Sequence, residues 1–152
     1  MSNVVRRCHE CGVGEIRPVA KAGRRSRYKT MELEIPADVK IPTCNNCGSE
    51  GVDLATAKAI DAAMEKVYRD VLNKMGADAV KKIRERVPMR HVEQLLGLSE
   101  GYLSKVAGRR VEPSAELVAH LVTLSSDVAG RTRELEKLWR DASQHSLKRK
   151  AA

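Results

Sequence analysis

Two short motifs decide the fold of the first part of this 152-residue chain: Cys8-His9-Glu10-Cys11-Gly12 and Cys44-Asn45-Asn46-Cys47-Gly48. Each motif places two cysteines on one tight turn, and the glycine after the second cysteine can take the positive φ that the turn needs. Two such turns supply the four sulfur ligands of a tetrahedral zinc site. We therefore predict one structural Zn²⁺ bound by four residues: Cys8, Cys11, Cys44 and Cys47.

Other chemistry fits four cysteines in this pattern less well. A thioredoxin-like redox pair begins a helix in a βαβ unit, and neither CxxC motif is followed by a helical pattern. A catalytic zinc keeps an open coordination position, which four cysteines would close. Iron would fit the same four-sulfur cage, and the sequence does not separate it from zinc.

The residues between and around the cysteines predict a small β-rich domain over 1–53. The stretch Thr30–Ile35 alternates polar and apolar residues, which is typical of a half-buried strand, and Pro36 ends it. The chain contains no Phe and one Trp, at position 139, so this segment has few large side chains for a core. We expect the metal to supply the missing folding free energy.

From Leu54 onward the apolar spacing becomes helical. A stripe from Ile60 to Met75 predicts a helix with Asp53 as its N-cap and Gly76 as its end. Further helical patterns cover roughly 78–86, 88–96, 99–107, 114–127 and 132–142. The predicted fold class is α+β. The predicted segments are a zinc-binding β domain (1–53), a linker helix (54–76), an all-α helix-turn-helix domain (77–130), and a C-terminal helix with a basic tail (131–152). We expect the basic tail to fray.

The stretch Met89–Gly108 has the pattern of a helix-turn-helix, with two short helices that meet at Gly97. Ser99 is a natural N-cap for the second helix. Glu93 falls where the two helices cross, and a buried, unpaired carboxylate is costly, so we expect the helices to splay or rotate to expose it. Candidate DNA contacts are the residues of the second helix that face outward and the two arginines that follow it: Ser99, Glu100, Gly101, Tyr102, Ser104, Lys105, Arg109 and Arg110.

The charge balance favours a polyanionic partner. The chain has 28 basic and 20 acidic residues, a net charge of +8. Half of the excess lies in residues 131–152, and a second basic cluster, which includes Tyr28, extends from Lys21 to Lys29. That cluster leaves open an RNA-binding interpretation. With 32% charged residues, the chain has no room for a membrane span. The stretch Met1–Arg7 lacks the apolar run of a secretory signal. We therefore expect a cytoplasmic, nucleoid-associated protein.

In order and size, these motifs resemble MqsA-type antitoxins with their YgiT-type zinc-finger domain. The resemblance is carried by the two CxxCG motifs, Tyr28, the stretches Glu34-Ile35-Pro36 and Ile41-Pro42-Thr43-Cys44, the Ala-rich helix and a helix-turn-helix similar to the Cro/repressor type. It covers about residues 4–130. The resemblance implies a zinc at the four cysteines, base reading between Ser99 and Lys105, dimerisation, repression of the protein's own operon, and binding of a cognate toxin that degrades RNA.

The sequence therefore favours a homodimeric, zinc-containing regulator that binds double-stranded DNA. The alternative is a protein-interaction module that binds a partner through the zinc domain and does not bind DNA. We expect no enzymatic activity, because no nucleophile, base and orienting acid converge and the histidines at 91, 120 and 145 have no evident partners.

Overall fold

The structure is a computed structural model that describes the backbone of residues 6–150 and the side chains of residues 6–147. The prediction about a secretory signal included Met1 to Val5, which lie outside the described residues. The last two residues of the basic tail, 151 and 152, also lie outside them. The chain divides into two compact units, Met1–Arg69 and Asp70–Ala152. The first contains the β-strands and all four cysteines and the second is helical, so the predicted α+β class is confirmed.

The first unit contains two small antiparallel sheets. Strands β1 (Arg6–Arg7), β2 (Glu15–Ala20) and β5 (Lys40–Cys44) form one sheet in the order β1-β2-β5. Strands β3 (Arg25–Tyr28) and β4 (Met31–Glu34) form a hairpin. Strand β4 confirms the predicted strand, and its residues alternate between half-buried and exposed.

The core of the first unit is small and aliphatic, as its composition predicts. Ile35, Ile41 and Met64 are buried together, with Tyr28 and Leu33 among the half-buried residues packed against them. A core of this size supplies little of the free energy that a domain needs to fold.

Helix α1 (Leu54–Arg84) is continuous over 31 residues, so the predicted end at Gly76 and the separate helix over 78–86 are wrong. A Cβ on Gly76 would lie 3.3 Å from side-chain atoms of Val106 and Pro113. The glycine is therefore a point of close packing inside the helix, and this packing offsets its poor helix propensity of about 1 kcal/mol. The predicted N-cap is confirmed, because the Thr56 N–H donates to Asp53 Oδ1 over 2.8 Å.

The second unit continues with four more helices: α2 (Met89–Leu95), α3 (Tyr102–Ala107), α4 (Ala115–Ser126) and α5 (Val128–Lys150). They enclose a core whose fully buried members include Val80, Ile83, Val92, Leu103 and Leu121. Helix α4 begins as predicted from its cap, since Ser114 Oγ accepts the Leu117 N–H. No helix among the described residues is long and apolar enough to cross a membrane.

Helix α5 is longer than the sequence predicts and continues into the basic tail as far as Lys150. Asp127 precedes it and accepts the Gly130 N–H over 3.0 Å. Two contacts hold α5 on α2: the Trp139 indole N–H donates to the Leu95 carbonyl over 2.9 Å, and His91 Nε2 lies 2.8 Å from Glu136 Oε1. The expectation that His91 has no partner is therefore wrong, because its partner lies 45 residues away in the sequence.

Candidate metal centre and nucleic-acid interface

The sheet of the first unit brings the two cysteine turns to the same end. The first turn connects β1 to β2, and the second follows β5, which pairs with the other edge of β2. Ile16 of β2 lies opposite Cys44 in the register. Because β2 lies between the two strands that lead into the turns, the strand pairing fixes the distance between them.

The four sulfur atoms form one cluster in which all Sγ atoms lie within 4.8 Å of one another. The Sγ atoms of Cys8 and Cys47 are 3.7 Å apart, and those of Cys11 and Cys44 are also 3.7 Å apart. A tetrahedral metal with metal–sulfur bonds of about 2.3 Å separates its sulfur ligands by about 3.8 Å. A disulfide would need about 2.05 Å. The cluster therefore fits a metal ion bound by four sulfurs.

The backbone of each turn has the conformation that the CxxCG motif predicts. Gly12 and Gly48 have φ of 67° and 73°. Their N–H groups donate to the carbonyls of Cys8 and Cys44 over 3.0 and 3.1 Å, so the two turns have matching hydrogen bonds. A residue with a side chain would be strained at either glycine.

Backbone N–H groups point at the sulfur atoms and stabilise negative charge on them. The Gly14 N–H donates to Cys11 Sγ over 3.3 Å and, as the largest cause, lowers the pKa of the Cys11 thiol to about 6. The backbone N–H groups of Cys47 and Asn46 lower the pKa of Cys44. For Cys47, the Ser49 N–H lowers the pKa, but hydrogen bonds with the neighbouring cysteine side chains, together with desolvation, outweigh it and raise the pKa to about 12. A bound metal cation would favour the thiolate form of these cysteines, because metal ligands must be deprotonated.

Gly14 is a residue of this site that the sequence alone does not single out. A Cβ at this position would overlap Cys44 Sγ and lie 2.7 Å from the Asn46 Cβ, so the second turn passes directly over the first. The Asn45 side chain adds a link between the turns by accepting the Glu15 N–H over 2.9 Å. The sequence feature that could have pointed to Gly14 is the second glycine in Cys11-Gly12-Val13-Gly14.

Four of the five cations in the basic cluster from Lys21 to Lys29 are exposed, but Arg24 is held within the fold. The Arg24 side chain is only 8% exposed, and it bonds Glu50 over 2.7 Å and the Val19 carbonyl over 3.0 Å. Arg25 and Arg27 lie opposite Glu34 and Glu32 in the β3–β4 register, which places an acid beside each cation (cross-strand pairs). These contacts weaken the RNA-binding interpretation.

Lys29, the last cation of that cluster, is part of a network that ties the β3–β4 turn to α1. Its Nζ lies 3.1 Å from Glu65 Oε2 and 4.5 Å from the centre of the Tyr68 ring. Glu65 also accepts the Tyr28 hydroxyl over 2.6 Å and the Arg69 Nε–H over 2.9 Å. The Tyr28 hydrogen bond is the largest of the causes that lower the pKa of Glu65 to about 2.

In the second unit, Glu93 holds α2 and α3 together. Its side chain is buried, with 3% of the residue exposed, so the prediction that the helices splay or rotate to expose it is wrong. The two carboxylate oxygens accept the N–H groups of Gly101 and Leu103 over 3.0 and 2.8 Å. These donors lie at the start of α3, where no preceding turn supplies acceptors, so the carboxylate is paired and not orphaned.

Because Glu93 caps α3 from outside, the predicted capping by Ser99 is wrong. Helix α3 begins at Tyr102, with Gly101 in a left-handed conformation (φ 79°) before it, and the Ser99 carbonyl accepts the Tyr102 N–H. The structure exposes most of the candidate DNA contacts, namely Ser99, Glu100, Ser104, Lys105, Arg109 and Arg110. Gly101 and Tyr102 are half-buried, and Tyr102 packs against the core.

Helix α3 ends in a Schellman motif with an arginine at the position that usually holds glycine. The Arg110 N–H donates to the Lys105 carbonyl over 2.8 Å, and the Arg109 N–H donates to the Val106 carbonyl over 3.0 Å. Arg109 has φ of 53°, whereas Gly108 has φ of −82°. A left-handed residue other than glycine costs about 1 kcal/mol. Such strain is found most often at functional sites.

No protein-family model matches this chain, and no curated protein matches it. The resemblance to MqsA-type antitoxins therefore stays an expectation that rests on the motifs.

Proposed function

We propose that this protein is a sequence-specific transcriptional regulator that binds double-stranded DNA and reads the major groove with the outward face of α3. The observation that carries the proposal is the arrangement of that helix. Ser104 and Lys105 are exposed on α3, and Arg109 and Arg110 are exposed directly after it. Glu93 fixes the start of the helix against α2.

This arrangement suits the two tasks of a DNA-binding helix. Lys105 has the length and charge to bond guanine O6 or N7 at a base edge. Arg109 and Arg110, at the end of the helix, suit contacts with phosphates, which set register without reading sequence. Residues 76–130 carry 8 basic and 7 acidic residues, so in this proposal affinity comes from a few placed cations and from a second subunit.

We propose that the four-cysteine cluster holds one structural Zn²⁺. The sulfur spacing and the closed shell support this assignment, and the small core of the first unit gives the metal a role in folding. Native mass spectrometry of the purified chain should show one zinc. Chelation should abolish the strand signal and leave the helices of the second unit folded; strands that persist without metal would contradict a structural role.

We propose further that the regulator is antitoxin-like, located with the nucleoid, without catalytic activity, and that its first unit binds a cognate toxin. A groove of about 440 Å³ in that unit supports a protein partner, because it combines apolar lining with charged groups. Its lining includes Pro18, Pro42, Val52, Arg6, Arg17 and Asp53. Val52 is 58% exposed. The same groove would serve the alternative, a protein-interaction module that does not bind DNA.

A titration of DNA from upstream of the protein's own gene separates these two functions. The zinc-loaded protein should bind this fragment more tightly than a scrambled one, and affinity should fall with added salt. Lys105→Ala should lose about 1–3 kcal/mol, or about 5- to 150-fold in affinity, if Lys105 touches a base. Lys66→Ala, which removes one exposed cation from α1, is the matched control and should bind as wild type. Equal affinity of both variants would remove Lys105 from the reading surface of α3, and equal binding of both fragments would favour the interaction module.

A further inference from the structure

Helix α5 carries a line of exposed cations along one face. Arg133, Lys137 and Arg140 follow one another at intervals of four and three residues, which is the spacing of neighbours on one face of a helix. All three side chains are exposed, and none of them forms an ion pair with a described residue. We call these three residues the α5 basic stripe. Cations held side by side without counter-charges repel one another, so they favour an anionic partner.

Two of the three acids of α5 are bound away from the stripe. Glu134 Oε2 lies 2.9 Å from Arg131 Nη1, and both residues line a groove between α4 and α5. Glu136 Oε1 lies 2.8 Å from His91 Nε2 of α2. The third acid, Asp141, is exposed beside the stripe. The cations of the stripe are therefore open to a ligand from solution.

Contacts with α2 place α5 beside the helix-turn-helix. The His91–Glu136 pair lies in the first turn of α2, and the Trp139 indole bonds the carbonyl of Leu95, the last residue of α2. In helix-turn-helix proteins the first of the two helices crosses the DNA backbone, while the second reads bases. Helix α5 is thus fastened along the helix that would cross the backbone, and it continues beyond Trp139 to Lys150.

We infer that the α5 basic stripe binds the phosphate backbone of the DNA duplex that α3 reads. The inference rests on the proposed function for the position of that duplex. Arg133 and Arg140 are about 10 Å apart along the helix axis, because an α-helix rises by about 1.5 Å per residue. One DNA strand carries about three phosphates over that length, so the stripe matches the backbone in charge and in spacing.

Such a surface adds affinity and not specificity. Phosphate contacts position a protein on DNA, whereas base contacts select the sequence. The helix-turn-helix region is nearly neutral, with 8 basic and 7 acidic residues in 76–130, so it can supply few phosphate contacts itself. The stripe lies in 131–152, which holds 7 basic and 3 acidic residues. In this arrangement α3 selects the site and α5 holds the duplex.

The salt dependence of DNA binding by the full, zinc-loaded chain tests the stripe. The logarithm of affinity falls linearly with the logarithm of salt concentration, with a slope of about 0.9 for each phosphate that the protein neutralises. Arg133→Gln, Lys137→Gln and Arg140→Gln should each reduce this slope by about 0.9 for each bound subunit, and the triple variant by about 2.7. Because phosphate contacts carry no sequence information, affinity for the upstream fragment and for the scrambled fragment should fall by the same factor.

Arg131→Gln is the matched control. It removes the same charge from the same helix, but Arg131 is paired with Glu134 in the groove beside α4, so the slope should equal that of the wild type. Asp141→Asn removes the acid beside the stripe and should strengthen binding to both fragments, because a carboxylate repels phosphate. All of the replaced side chains are exposed, so circular dichroism should show the same helix content in every variant.

A triple variant that keeps the wild-type slope would overturn the inference and leave the stripe to an acidic protein or to RNA. A control variant that lowers the slope as much as the stripe variants would show an effect of total charge alone, and would also overturn it. Weaker binding by Asp141→Asn would do the same. Equal wild-type affinity for the upstream and scrambled fragments, together with the predicted change in slope, would count against the proposed function alone.

Discussion

Glu93 is the residue on which the geometry of the helix-turn-helix depends most. A buried carboxylate with no partner would be strongly destabilising, but this one accepts two backbone N–H groups that α3 itself cannot satisfy. The side chain therefore orients α3 on α2.

We predict that Glu93→Ala lowers the free energy of unfolding by at least about 2 kcal/mol, because two buried N–H groups lose their acceptors. Glu93→Gln should lie between alanine and wild type, since its amide offers one oxygen. Urea unfolding of the zinc-loaded chain measures both, with Gln94→Ala as a control at an exposed neighbouring position. A Glu93→Ala variant as stable as the control would show that the carboxylate is not needed.

In the metal centre, Gly14 is the residue on which the geometry depends most. We predict that Gly14→Ala abolishes stoichiometric metal binding, because the added methyl group would occupy the space of the Cys44 sulfur. Gly51→Ala is the matched control, as a Cβ there meets nothing within 4 Å. Zinc content by native mass spectrometry distinguishes them. Full zinc occupancy in Gly14→Ala would contradict the close approach of the two turns.

Arg109 combines a cost in stability with a proposed role in binding. We predict that Arg109→Gly raises the free energy of unfolding by about 1 kcal/mol, because glycine accepts the left-handed conformation without strain. The same change should weaken DNA binding. Arg110→Gly, at a position without positive φ, should weaken binding and bring no gain in stability. Thermal unfolding and DNA titration of both variants check this, and an Arg109→Gly variant that gained stability and kept full affinity would remove Arg109 from the interface.

At the scale of the elements, the continuity of α1 depends on contacts that are remote in sequence. Gly76 resembles a helix end in the sequence, but in the structure it allows α1 to approach Val106 and Pro113 closely. The helix therefore continues for eight residues beyond the glycine, to Arg84.

We predict that Gly76→Ala does not stabilise the protein, although alanine is better than glycine in a helix by about 1 kcal/mol. The new methyl group would push against Val106 and Pro113, and this overpacking should cost at least as much as the helix gains. Urea unfolding, with Lys74→Ala as an exposed control on the same helix, measures the balance. A gain of about 1 kcal/mol, as in a free helix, would contradict the close packing.

The features that the sequence predicted correctly are those that depend on near neighbours. The caps at Asp53 and Ser114 each bond a backbone group three residues away, and the left-handed glycines at 12 and 48 follow from the CxxCG turns. The features that it missed involve distant residues. Glu93 caps a helix eight to ten residues away, and the contacts of Gly76 lie 30 or more residues away.

At the scale of the whole molecule, the net charge of +8 is a poor guide to function taken alone. The Arg24 side chain is only 8% exposed and is paired with Glu50, and Lys29 is paired with Glu65, so these two cations of the basic cluster stabilise the fold of the first unit. The exposed cations at the end of α3 are fewer, but they follow the helix whose geometry Glu93 fixes. For this reason we base DNA binding on the placement of Lys105, Arg109 and Arg110 rather than on total charge.

Selection of binding sites from a pool of random double-stranded DNA by the zinc-loaded full chain, followed by sequencing, tests DNA reading by α3 most directly. The account predicts enrichment of one inverted repeat whose half-sites lie about one helical turn, or 10–10.5 base pairs, apart or a multiple of that distance. The same selection with Lys105→Ala should relax the preference at one position in each half-site. A pool that stays random with the wild-type protein at moderate salt would contradict sequence-specific DNA binding.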